Sequence, residues 1–296
     1  MKKLGALRIN VSLVTGLVIS LAILCAAIAA PLIATHGVEQ MDMRNRFAGP
    51  SLAHWLGTDN FGRDLWTRLI FGARVSLTIA LIPVFVAATF GTLVGIIAGY
   101  FGGWVDLLLM RVADVFLGFP ALILVLAIVA VLGPGILNVS LALVVVFWTD
   151  YARVVRSSTL VLREQAYVLA ARAVGASHLR ILFKEILPNA WGPVLVLATL
   201  GLGNAILTES ALSFLGFGVP PPQPTWGWTL AYGTRFMRSE PWLAIISGLA
   251  IMVTVLGFNL LGDGLRDLLD PKGRSRGPHT APMLKANPSE EKDTPR

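Results

Sequence analysis

Six apolar runs, residues 11–33, 76–99, 112–132, 136–149, 192–217 and 243–261, follow one another along the chain, and nothing else restricts the fold so strongly. In hydrocarbon, backbone N–H and C=O groups must be satisfied within the protein. Apolar runs approaching the ~20 residues needed to cross a bilayer therefore read as transmembrane helices. Composition agrees: of 296 residues 55% are hydrophobic and 14% charged, against about 25% charged in a soluble domain. The expected fold class is an all-α polytopic membrane protein with six transmembrane helices.

Charge sets the expected orientation. Lys2, Lys3 and Arg8 precede the first run. Ala27-Ile28-Ala29 resembles a signal-peptide cleavage site, but the run is ~23 residues long, beyond the usual apolar core of a signal peptide, and reads as an uncleaved span. Between the fourth and fifth spans Arg153, Arg156, Arg163, Arg172, Arg180 and Lys184 outweigh Asp150, Glu164 and Glu185. Basic loops stay cytoplasmic, so both termini and this loop are expected on the cytoplasmic face. Five arginines in residues 35–74 oppose an external place for that segment; the span count puts it outside. The net charge of +7 is thus a matter of membrane orientation and not a nucleic-acid surface. The single Cys25 allows no disulfide within the chain.

Several loops and spans carry further expectations. Residues 35–74 read as an interfacial lead-in, with Thr58 or Asp59 capping a short helix. Gly91, Gly95 and Gly99 make a small-residue face in the second span, suited to close helix packing within the chain or with a partner. Residues 100–111 read as a short turn, and Pro120 lies inside the third span. Arg111 and Asp114, three apart, form a candidate structural ion pair. The fifth span holds Asn204, Glu209 and Ser213, candidates for lining a pathway. A mid-membrane carboxyl must face protein or water, so Glu209 is either a packing hydrogen bond or a pathway group. Pro221, Pro222 and Pro224 suggest a stiff external loop, and Trp226, Trp228, Tyr232 and Trp242 an interfacial aromatic belt. Asp263, Arg266, Asp267 and Asp270 mark a charged helical end, and the composition of residues 271–296 suggests a disordered cytoplasmic tail.

Residues 163–188 are the main polar interruption in the second half of the chain. They read as two short helices that meet at Gly175. Tyr167, Ala170, Ala171 and Val174 share one face; Leu179, Leu182, Phe183 and Ile186 share another. Gly175 permits a sharp corner, and Pro188 is expected to stop the second helix. Physics alone leaves two readings, a helix pair lying on lipid headgroups or a docking element for a soluble partner.

The run from Tyr167 to Asn189, with Ala170-Ala171, Gly175-Ala176-Ser177 and Ile186-Leu187-Pro188-Asn189, resembles the EAA loop of ABC-importer permeases. Leu169 stands where that motif usually has Glu. Further segments resemble the dipeptide/oligopeptide/nickel group: Leu56-Gly57-Thr58-Asp59 with Gly62-Arg63-Asp64, then Glu209-Ser210-Ala211-Leu212-Ser213-Phe214-Leu215-Gly216, and the stretch 259–272. The resemblance implies an ABC importer type I permease fold with cytoplasmic coupling helices between spans four and five, at 163–189. It implies a permease in the bacterial inner membrane, for di- or oligopeptides or for nickel or glutathione. The implied partners are a homologous second permease, two ATPase subunits and a periplasmic or external binding protein, besides membrane lipid. The implied ATPase contacts are Ala170, Ala171, Gly175, Ala176, Ser177, His178 and Leu179. An ion-gradient-driven transporter and a membrane scaffold that transports nothing are the alternatives. The sequence carries no GxxxxGK[ST], HExxH or GxSxG pattern, so no enzymatic role and no bound cofactor or metal are expected; ATP and Mg would belong to the partner ATPases. The expected divisions are an N-terminal span with external segment (1–70), a transmembrane domain (71–270) and a tail (271–296).

Overall fold

A computed structural model describes residues 10–269. Lys2, Lys3, Arg8, Asp270 and the expected tail at 271–296 lie outside the described residues.

The described chain is all-helical apart from loops and one isolated antiparallel bridge between Thr58 and Asp64. Helix α1 (Val11–Ile28) begins at Asn10, whose side chain accepts from the Leu13 N–H, and the short α2 (Ala30–Ile33) follows it. A looped segment then leads to α3 (Leu65–Phe101), a 37-residue helix. Thr58 and Asp59, expected to cap a short helix in this segment, cap none: the short turn Met43–Asn45 is capped by Asp42, and α3 by Asp64, which accepts from the Thr67 N–H at 2.8 Å. Asp59 instead holds the loop, accepting from the Phe61 and Arg63 N–H groups and from the Arg63 guanidinium. So α3 starts well before the apolar run, the expected division at 70/71 falls inside it, and Pro83 does not interrupt it.

The expected turn at 100–111 is also not a turn. After Gly102, at φ 65°, helix α4 (Gly103–Leu117) begins at once. Its two acidic charges are matched by α6 (Ile136–Leu162): Arg156 forks onto both Asp106 oxygens, and Arg153 reaches Asp114 at 2.6 Å. Asp114 therefore pairs with Arg153 across helices; the expected partner, Arg111, makes no ion pair among the described residues. The third apolar run is not one helix either. Between α4 and α5 (Ala121–Leu132) the axis turns by 84° at residues 118–120, where Pro120 has no N–H for a helix to use.

The glycine face expected on α3 packs within the chain, along α6. A Cβ on Gly91 would strike the Trp148 carbonyl, one on Gly95 would lie 2.5 Å from the Ala152 carbonyl oxygen, and one on Gly99 would lie 2.7 Å from the Thr159 Cβ. These absent side chains let two backbones approach to contact.

Helix α7 (Ala166–Ala173), the single turn α8 (His178–Arg180) and a π-helical stretch (Ile181–Ile186) lead into α9 (Leu187–Phe214). Helical geometry is unbroken from His178 to Phe214, over 37 residues. Pro188 therefore does not stop a helix. The Leu187 N–H reaches back five residues to the Leu182 carbonyl; this wider turn accommodates a proline that lacks an N–H.

Helix α10 (Trp226–Gly233) is capped by Thr225, and α11 (Trp242–Leu269) closes the fold. Trp226 does not join an aromatic belt: it is buried, and its indole N–H donates to the Leu69 carbonyl at 2.9 Å. Gly16 and Gly264 let α1 lie directly on α11, where the Asn10 amide also donates to Asp267. The core forms between α3, α6 and α9, with a second cluster of Ile79, Val125, Val139, Leu143 and Leu212 beneath α5.

Among the described residues five helices are long and apolar enough to cross a membrane, and the bent α4–α5 pair makes six if counted as one crossing.

Candidate functional site

The segment between α6 and α9 is built from local rules. The N–H of Gly175 donates to the Arg172 carbonyl and the N–H of Ala176 to the Ala171 carbonyl, both at 3.0 Å. Gly175 has φ 78°. These two bonds and the left-handed residue are a Schellman motif, which satisfies the last carbonyls of α7. Two residues on, the Ser177 hydroxyl accepts from the Arg180 N–H and caps the next helix. Gly175-Ala176-Ser177 is thus a stop signal joined to a start signal, and the corner expected at Gly175 is present.

Long-range contacts fasten this corner to the C-terminal end of α3. The Tyr100 hydroxyl pairs with His178 Nδ1 at 2.9 Å, the Arg172 guanidinium lies 5.5 Å from the centre of the Tyr100 ring, and Arg163 donates to the Gly99 carbonyl at 2.9 Å. Val168, Ile181, Leu182 and Ile186 are buried in the core.

The buried and exposed faces differ from the expected stripes. On α7 the inward residues are Val168 and, in part, Ala171; Tyr167, Ala170 and Val174 face outward. Of the second stripe Leu182 and Ile186 are buried, while Leu179 and Phe183 are not. The reason is the long helix: with Ile181–Ile186 continuous with α9, its inward face is set by α9 packing and by a π-turn that shifts the register. The result is an exposed apolar ridge of Tyr167, Leu169, Val174, Leu179 and Phe183, with Val174 84% and Leu179 67% exposed. Leu179 and Phe183 also border an apolar groove of about 320 Å³ against Ile97 and Phe101.

Of the residues expected to touch an ATPase, Ala170, Gly175, Ser177, His178 and Leu179 are exposed, and Ala171 and Ala176 are half-buried against the core. The His178 ring is turned to Tyr100. Sequence reading missed Tyr100, Arg163 and Val168; the first pairs with a residue 78 positions away, and no local pattern marks it.

The candidate pathway residues do not converge. Asn204 is exposed on α9, whereas Glu209 and Ser213 are buried. Ser213 donates to Glu209 Oε1 at 2.8 Å, and Gly227 of α10 packs over the carboxyl. The Glu209 carboxyl makes a packing hydrogen bond through Oε1, while Oε2 is buried with no hydrogen-bond partner among the described residues.

Comparison with known proteins agrees with this architecture. The family described as "Binding-protein-dependent transport system inner membrane component" matches residues 91–275. The chain is 46% identical over 269 residues to the dipeptide transport system permease protein DppC of Alkalihalophilus pseudofirmus, covering 91% of this chain and 88% of that one. It is 42% identical to the glutathione transport system permease protein GsiD of Pectobacterium atrosepticum, covering 91% and 89%. Among solved structures, a chain of the inward-facing MetNI methionine ABC transporter superposes with a TM-score of 0.57 at 19% identity, covering 70% of this chain and 97% of that one. The likeness extends to the type I permease fold and, through the sequence relatives, to the whole membrane body. The chain belongs to the family of binding-protein-dependent transport system inner membrane components, the non-catalytic permease subunits of ABC importers.

Proposed function

We propose that this permease carries small peptides, and that partner ATPases drive it through the segment 163–189. The observation that carries the second part is the apolar ridge of Tyr167, Leu169, Val174, Leu179 and Phe183. It stands on a backbone fixed by the Schellman motif and the Ser177 cap. Leucine and phenylalanine exposed beside arginines at a helical corner are a surface that a soluble partner would cover. The ridge also has a mechanical link: the helix that begins at His178 runs unbroken for 37 residues, roughly 55 Å at 1.5 Å per residue. A push at one end would reach Glu209 and Ser213 at the other.

In this reading α4 and α5 are one crossing, giving six spans with both termini and the coupling segment in the cytoplasm. The loop before α3 and the Pro221–Pro224 region then face the external binding protein. A homologous second permease completes the pathway, and two ATPases bind ATP and Mg. The coupling contacts are Ala170, Ala171, Gly175, Ala176, Ser177, His178 and Leu179. We place the start of the transport domain at Asp64, where α3 is capped, rather than at residue 71. Small peptides are the substrate class because the two named relatives handle a dipeptide and glutathione, both short peptides.

The test is mild-detergent purification of the complex from its native membrane, followed by ATP-driven uptake of labelled dipeptides in proteoliposomes. Recovery of a second permease and ATPases, with uptake that needs ATP, supports the proposal. A stable complex without ATPases, or uptake driven by an ion gradient alone, overturns it.

A further inference from the structure

At the opposite end of α3 from the coupling segment, three chemistry-bearing side chains meet. His36 follows α2, His54 lies in the loop, and Asp64 caps α3. Their ligand atoms lie within 4.8 Å of one another. His54 Nδ1 is 2.9 Å and His36 Nδ1 3.8 Å from the same oxygen, Asp64 Oδ1. The two imidazole rings stack, with centres 4.5 Å apart. We propose that His36, His54 and Asp64 form a binding site for a divalent cation of the zinc class.

Several features favour a built site over a chance cluster. Asp64 is buried, and its other oxygen is already committed: Oδ2 accepts from the Thr67 N–H at 2.8 Å and from the Thr35 hydroxyl at 3.2 Å. Those bonds orient the carboxylate and leave Oδ1 facing the imidazoles, as outer partners do for metal-binding carboxylates. Among the described residues the His36 ring nitrogens have no polar side-chain partner beyond the neighbouring Thr35 and Asp64. Two donors on one tetrahedral zinc ion, with bonds of about 2.0–2.1 Å, sit about 3.3 Å apart. The 2.9 and 3.8 Å separations from Asp64 Oδ1 lie on either side of that spacing, and with all three ligand atoms within 4.8 Å of one another, side-chain rotation that unstacks the two rings would bring them onto one ion. Water would fill the fourth position. Two imidazoles with one carboxylate suit zinc and its late first-row neighbours, whereas calcium and magnesium take oxygen donors. The ion would staple two points of the loop to the first turn of α3.

The test uses the full chain with its co-purifying subunits, the affinity tag removed and metals stripped. Zinc is added by equilibrium dialysis and counted by elemental analysis. The expected result is one zinc ion per chain, bound through light atoms and imidazole by X-ray absorption. H36A should weaken binding about tenfold or more while the complex is recovered as before, because the His36 backbone N–H to Thr67 is kept. H54A provides a second variant with the same expected loss. No stoichiometric zinc at about 100 µM, well above the affinity of an assembled three-ligand site, would overturn the proposal. So would zinc bound through sulfur, or binding that both variants leave unchanged.

Discussion

Gly175 is where the coupling corner is most easily perturbed without touching anything else. Its φ is 78°, and a Cβ built there meets nothing within 4 Å. A side chain therefore adds no clash, and the cost of substitution is purely that of the left-handed backbone. For alanine that is about 1–2 kcal/mol. Asparagine visits this region more readily and should cost about half as much or less. Proline fixes φ near −65°, roughly 140° away, and also deletes the Gly175 N–H bond to the Arg172 carbonyl. The Schellman motif then cannot form. The expected order for both ATPase retention and ATP-driven uptake is Gly, then Asn, then Ala, with Pro near zero. The assay is a paired one: subunit stoichiometry after detergent extraction, and peptide uptake normalised to inserted permease. Gly175 itself is exposed and outside the core, so insertion should be normal in all four. Equal uptake by the proline and glycine forms would refute the claim that this corner is a fixed left-handed turn. Alanine outperforming asparagine would refute the backbone origin of the effect.

Three other perturbations separate the roles assigned above. G95L should prevent α3 from seating on α6 and sharply lower recovery of folded protein, since a Cβ alone would lie 2.5 Å from the Ala152 carbonyl; G49A, in open space, should leave recovery unchanged. E209A should lower the melting temperature, by an amount corresponding to about 2–4 kcal/mol for a buried side chain whose hydrogen-bonded partner is orphaned, without altering the KM for peptide; an altered KM with an unchanged melt would return Glu209 to the pathway. For Asp64, burial pushes the carboxyl up, but the Thr67 N–H and the His54 and Thr67 side chains outweigh it and hold the group below its ordinary 3.8. A lowered folded pKa contributes stability above the unfolded value that is lost as pH falls through the folded one. D64N should therefore flatten the acid limb of melting temperature against pH below about 4, and an unchanged limb would contradict the assignment.

The helical membrane class was legible from the apolar runs, because lipid leaves the backbone few choices. The corner at Gly175 was legible because its cap residues act locally. What escaped was set by distant partners. Asp106 and Asp114 looked like turn residues and a local pair until α6 supplied Arg156 and Arg153. Pro188 looked like a stop until a π-turn absorbed it. The inward face of the coupling segment depends on α9 and on Tyr100, 78 residues from its partner. Sequence periodicity therefore found the apolar residues of this segment but not which of them are left uncovered.

The most direct measurement is site-specific photo-crosslinking in the native membrane. A photoreactive amino acid replaces Val174 or Leu179 on the exposed ridge and, as controls, Leu52 or Leu137 near the other end of the fold. Adducts to an ATPase subunit at Val174 and Leu179, absent at Leu52 and Leu137, are the expected result. Adducts from the ridge to lipid alone, or ATPase adducts at the control positions instead, would contradict the assignment of residues 163–189 as the coupling surface.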